Sequence, residues 1–592
     1  MQYAPSDFAN PTKECDVIMK GGITSGVVYP LAITELAKDY RLRNIGGTSA
    51  GAIAAALAAA AEYGRDNSRG GGFPKLAELP GFLAQKLTSL FQPSPKTRPA
   101  FQILLTWISP GGKIKKTLLT LWNLIRFHPI AFVLGALLGT GLFWLVADFP
   151  SEGQLLKSRA MPLRVIFALF WGFLVALAVF AWRAVKAIQG NAFGMCSGMP
   201  AHEPSHDPAL TPWLAGLLNE TAGKTGGPLT FGDLKGREIN LEVMTTNLTL
   251  GSPTRLPFSS REYFFHPEEL RRFFPDDVVQ WMEDHPFTPE NERERADIQR
   301  IKDETPYRPL PDPADMPVVV AARMSLSFPV LISAIPLYAV DWSLKRNQEA
   351  RDAKRAPELG LCWFSDGGIG SNFPVHFFDG LLPSRPTFGI NLRPFHPDHP
   401  KKPEESENVW RAREARQGVL PAWTAIDGLL PFVAAIINTM QNWVDNTQMR
   451  LPGYRDRVVH VHLTPDEGGM NLTMPEDRIK ALTARGQAAG RVLQTIDWDG
   501  HRWIRYLTAM SQLEGRLGRM EEIYSAGYDQ FLIARDPEKT PYDKSQRWKT
   551  RALQATADLM SLVRSWRTPD PNLRLDHKSP KPEPELRISP RR

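Results

Sequence analysis

The chain is poor in cysteine: only Cys15, Cys196 and Cys362 occur in 592 residues, far apart and without metal-ligand spacing. An odd, sparse set of this kind excludes a disulfide framework and points to reduced thiols in a cytosol-facing protein. The N-terminus, MQYAPSDFANPTKECD, lacks a basic segment leading into an apolar core, so it does not read as a secretory signal. Net charge is only +7, with no basic stripe interleaved with aromatics, which argues against a nucleic-acid partner. No internal repeat is detectable. The one zinc-like match, HEPSH at His202–His206, fits H-E-x-x-H but holds Pro204, with Pro200 and Pro208 around it. Proline breaks the helix that would set both histidines on one side, so no metal is expected.

What is present begins with apolarity. Hydrophobic residues make up 43% of the chain, which excludes global disorder. Two stretches, residues 130–147 and 165–182, carry no charge over 18 residues each. That is the low end for crossing a hydrocarbon core of about 30 Å at about 1.5 Å per residue. Gly135 and Gly139 form a G-x-x-x-G packing face, and the linking stretch 148–164 is short enough for a hairpin. Lys113, Lys115, Lys116, Arg126, Arg183 and Lys186 flank the outer ends, which sets both main bodies of the chain on the cytoplasmic side. A spanning pair is the favoured reading over a buried or monotopic hairpin.

The opening reads as strand (CDVIMKGG), helix (GVVYPLAITELAKDY), short strand (RLRNIGG), tight turn and alanine-rich helix (AGAIAAALAAAAEYG). An α/β pattern resumes at residues 237–250, 316–331, 387–394 and 457–465. Residues 423–444 read as a packed or interfacial helix. The expected division is 1–64 and 191–495 as one α/β domain, 65–190 as an insertion with the hairpin, 496–567 as a helical region and 568–592 as a disordered, Pro-rich tail.

Gly47 to Gly51, GTSAG, fits the G-x-S-x-G turn that lifts a nucleophilic serine above a sheet, and its strand–turn–helix context is the one this motif requires. Ser49 then needs a base and oxyanion donors. Gly21 and Gly22, between a strand and a helix start, can turn backbone N–H groups toward a carbonyl oxygen, although a glycine turn before a helix can be only a turn. For the base, His376 lies near a glycine-rich turn, and His460 and His462 share one face of a strand as a packed or edge pair more readily than a metal pair. Asp366, ending an apolar run before Gly367 and Gly368, is the remaining candidate.

Taken in order, the glycine turn at Gly21 to Gly26, GTSAG at Gly47 to Gly51 and Asp366-Gly367-Gly368 resemble the patatin-like phospholipase family. PLTFGDL, VMTTNLTLG and AARMSLSFPVL also look like stretches of its members. The resemblance implies a three-layer α/β sandwich with a mostly parallel central sheet. It implies a Ser49–Asp366 dyad without histidine, an oxyanion hole from Gly21 and Gly22, and no cofactor. The substrate would be membrane phospholipid or lysophospholipid. Lys20 stands where a first glycine is common, and Thr24–Ser25 replaces the usual basic residue before Gly26. With the hairpin, the expectation is an integral protein of a bacterial inner membrane, its catalytic part facing the cytoplasm, with a homo-oligomer left open. A thioesterase or general esterase with the same dyad, and a non-catalytic membrane scaffold of the same fold, are the alternatives.

Overall fold

The computed structural model describes residues 3–22, 24–66, 71–109, 111–146, 154–201, 207–412, 426–469, 471–536, 545–575 and 579–582. HEPSH, with its two histidines, lies outside them, as does most of the expected disordered tail. Thirteen strands are described. They are β1 (Lys13–Met19), β2 (Tyr40–Thr48), β3 (Gly194–Cys196), β4 (Asn240–Asn247), β5 (Ser252–Leu256), β6 (Tyr263–Phe265) and β7 (Arg308–Pro309). Then follow β8 (Val330–Ile332), β9 (Ile335–Val340), β10 (Leu359–Asp366), β11 (Thr387–Pro394), β12 (Val409–Arg411) and β13 (Val458–Leu463). Eleven of them form one sheet in the order β12-β13-β11-β1-β2-β4-β10-β9-β6-β7, with β5 on β4; β3 and β8 pair separately.

The centre, β13-β11-β1-β2-β4, is parallel. Beyond it every pairing is antiparallel, on both flanks, so the sheet is mixed and the expected mostly parallel sheet describes its middle alone. At β5 the reason is connection length. β4 returns into β5 through a short turn, and a link that short can join only antiparallel neighbours. The central strands bury Cys15, Val17, Met19, Ile45, Val243, Phe388, Ile390, Val459 and Val461, as strands covered on both faces must.

Helix α1 (Tyr29–Asp39) links β1 to β2, and α2 (Ala50–Tyr63) leaves β2. Ala52, Ala55, Ala56 and Ala58 to Ala61 are fully buried, so α2 is a core helix whose small side chains let neighbours approach from all sides. The helix Glu476–Gln494 crosses the start of α1 at glycines: an added Cβ would stand 2.0 Å from Val28 O at Gly486 and 2.5 Å from Ala32 O at Gly490. The region expected to be helical near the C-terminus carries Trp498–Ile523 and Gln546–Ser565.

In the apolar region the helix Pro129–Val146 packs on Gln154–Gly190. Gly135 meets Trp171 O and Gly139 meets Trp171 Cβ, where any Cβ would stand 2.5 and 2.7 Å away. Phe132 and Phe173 add an edge-to-face contact at 4.9 Å. Pro162–Gly190, 29 residues and only 11% buried over its apolar window, is long and apolar enough to cross a membrane. Lys113–Phe127 and Pro129–Leu145 pass the same test only together, and they are bent by 100°. The expected loop 148–164 is shorter than the sequence implied, because the second helix already begins at Gln154 and runs through Pro162.

Candidate active site

Ser49 sits between the end of β2 and the first turn of α2 with φ 55° and ψ −129°, a conformation side chains rarely adopt. Two glycines make this possible. An added Cβ would stand 2.3 Å from Gly51 O at Gly47, and 2.4 Å from Met19 O at Gly51. Because those neighbours are backbone, Gly51→Ala is expected to destabilise the fold by about 3 kcal/mol or more. Equilibrium denaturation reads this, and an unchanged midpoint would contradict it. The Ser49 amide donates to Ser325 Oγ at 3.0 Å, and Ser325 Oγ donates to Met244 O at 2.5 Å, so the AARMSLSFPVL segment braces the turn. Ser325 was not singled out from the sequence; its signal lay inside that segment.

Asp366 reaches Ser49 through strand register. Thr48 of β2 pairs with Met244 of β4, and the next β4 residue, Thr245, pairs with Asp366 of β10. Thr246 Oγ1 donates to Asp366 O at 2.9 Å, and the Asp366 amide donates to Ser327 O at 3.0 Å. Asp366 and Ser49 are 3% and 4% exposed. Asp366 Oδ1 accepts from the Gly368 amide at 2.7 Å, while Oδ2 is buried with no hydrogen-bond partner. Burial pushes the Asp366 carboxyl up to about 7, opposed by the nearby Ser49 hydroxyl and the Gly368 amide. The hydroxyl thus acts on the carboxylate although the pair stops short of a regular hydrogen bond. Gly367 has no room for a side chain, since a Cβ there would stand 2.0 Å from Met244 O.

The glycine turn lies against Ser49: a Cβ on Gly21 would be 3.1 Å from Ser49 Cβ. The Gly21 amide, however, donates to Asn372 O at 2.9 Å, which corrects the expectation that it is an oxyanion donor. Thr48 Oγ1 donates to the same carbonyl at 2.8 Å. Among the described residues nothing accepts from the Gly22 amide, which leaves that donor open. The Asn372 loop is itself held by Asp445, whose carboxylate accepts from Ser371 Oγ, Asn372 N and Phe373 N at 3.0, 3.0 and 2.7 Å. Asp445 belongs to the helix Leu429–Gln448, on which Phe432, Ile437, Met440 and Trp443 are exposed.

The histidines go elsewhere. His376 lies in the turn Val375–Phe378, edge-on to Phe377. His460 stacks on Trp410 and His462 on Phe395, and among the described residues no group of metal-ligating side chains forms.

Two cavities flank the glycine turn. A narrow apolar one, about 80 Å³, is lined by Gly26, Val27, Ala50, Leu57 and Leu326 among others and bears no charged residue. The other, about 570 Å³, opens over Lys20, Gly21 and Gly22. No protein-family model matches the chain. It is 34% identical to a protein of Rhizobium meliloti (strain 1021) described as "RpoH suppressor", over 98% of this chain and 99% of that protein, and it belongs to that protein's family.

Proposed function

We propose that the chain is a membrane-anchored serine lipid acyl hydrolase of patatin-like architecture, working through a Ser49–Asp366 dyad. The observation that carries this reading is a serine in a left-handed turn beside a buried aspartate with an unpartnered oxygen, Oδ2. An acid poised near neutrality suits a general base, because it is ionised at working pH yet still basic enough to take a proton. Asp366 accepts the Ser49 hydroxyl proton as Oγ attacks the ester carbonyl. The Gly22 amide, the donor left open, serves the developing oxyanion, and the leaving alcohol takes the proton back from Asp366. Water, deprotonated by Asp366, then attacks the acyl-Ser49 carbonyl, and the Ser49 Oγ–acyl bond breaks to release the fatty acid as Oγ takes that proton back from Asp366. The charge-free cavity beside Ala50 suits the acyl chain. The relative's description names no chemical reaction, so the proposal rests on the site.

Lipid-product mass spectrometry on wild-type protein, paired with fluorophosphonate labelling, tests the activity. Fatty-acid release from phospholipid vesicles with label on Ser49 supports it; release from acyl-CoA alone would reassign it to a thioesterase; neither label nor release would leave a scaffold.

Anchoring as a hairpin of Pro129–Val146 and Gln154–Gly190 is supported by their exposed Leu134, Leu137, Trp144, Ile166, Phe170 and Trp182 and by their glycine-mediated packing. On this reading the protein stays in the membrane pellet through alkaline carbonate extraction, and release into the supernatant would sink the spanning arrangement.

A further inference from the structure

The larger cavity occupies the topological switch point of the sheet. From β1 the chain continues through α1 to β2 on one side, whereas β11 neighbours β13 on the other. The crevice outside the carboxyl ends of β1 and β11 is where open α/β sheets receive ligands. Its lining includes Lys20 from the end of β1, Arg393 from β11, His460 from β13 and Arg450, and no aspartate or glutamate.

Two of these groups lack partners that their surroundings would demand. Among the described residues, the Lys20 ammonium has no ion pair and no hydrogen bond. Asp445 is the one carboxylate acting on it, and that carboxylate is already held by Ser371, Asn372 and Phe373. Burial, and then Arg393's like charge, pull the Lys20 ammonium down to about 8, so it remains mostly charged at neutral pH. His460 is 1% exposed. Its Nδ1 lies 3.1 Å from Asn391 Nδ2, which makes Nδ1 the acceptor and puts the ring hydrogen on Nε2, and Nε2 is buried without a partner. Buried donors are costly when unsatisfied, and here a cation and an N–H donor share one chamber. An anion with several acceptor oxygens satisfies both.

We propose that this chamber is a binding site for a phosphate group, held by Lys20, the His460 Nε2–H and Arg393. The phosphate can belong to a lipid head group or be free in solution. As a head-group site it deepens the hydrolase reading and rests on it, placing the phosphate on one side of the glycine turn and the acyl chain on the other.

The test is calorimetric titration of the full-length Ser49→Ala protein in detergent with inorganic phosphate and with glycerol 1-phosphate. Saturable binding is expected, weakened about tenfold or more in Lys20→Met and kept in Lys20→Arg. No saturable binding, or equal affinity in Lys20→Met with an unchanged melting curve, overturns the site. Kinetics of the wild-type protein then separate the two sources. Competitive inhibition by phosphate on phosphatidylglycerol vesicles assigns the site to the head group. Phosphate that binds without raising KM for those vesicles assigns it to the free anion. Should wild type hydrolyse no ester, the hydrolase reading falls, while the titration still decides the phosphate site.

Discussion

Replacing Ser49 by alanine is expected to cut ester hydrolysis by about 10⁴-fold or more, the scale on which loss of a serine nucleophile is felt, with little change in stability. The fold is expected to survive because the turn is held by backbone. The Ser49 amide still donates to Ser325 Oγ, and Gly47 and Gly51 still admit the close approach. Alanine keeps the same Cβ at the same φ of 55°, so the local strain is carried over. Fatty-acid release and a thermal melt on the same preparation read both halves. Turnover within tenfold of wild type in a folded variant would falsify the nucleophile assignment.

Asp366→Asn is expected to do two things at once: abolish turnover and raise stability above neutral pH. The native carboxyl, lifted from 3.8 to about 7, binds its proton more tightly than the unfolded chain does. Its contribution to stability is therefore fully present below about pH 4 and lost as pH rises through about 7. At about 1.4 kcal/mol per pKa unit, the ionised carboxylate costs roughly 4 kcal/mol at pH 8, a burden the amide does not share. The gain of Asp366→Asn in denaturation midpoint should thus be largest at pH 8 and small near pH 4. A loss of stability at pH 8 would mean that the aspartate is not desolvated as described. In wild type, kcat/KM should rise with pH to a plateau above about 7 as the base ionises. A profile that is flat from pH 5 to 8 would remove Asp366 from the role.

The elements legible in the sequence are those written locally. The β1 glycine turn, β2, the Ser49 turn and α2 follow one another along the chain, and each leaves a pattern of apolar residues and glycines. The antiparallel flank was not legible. β6 and β7 are only three and two residues long, too short for alternation to register. From the residues Asp366 is only a strand-end candidate, and the resemblance alone pairs it with Ser49, because its approach to Ser49 is a matter of register across β2, β4 and β10. Asn372, Ser325 and Asp445 act through backbone groups of distant segments, and such contacts leave no spacing to read. The engaged Gly21 amide was missed for the same reason: its acceptor is a main-chain carbonyl, which every residue has.

The turn at Ser49 also bears on how this chain could change over evolutionary time. A non-glycine residue in such a conformation costs about 1–3 kcal/mol, and glycine would lift that cost with no new clash. Selection for stability alone therefore points position 49 toward glycine, and a lineage that ceased to need the hydroxyl would drift there.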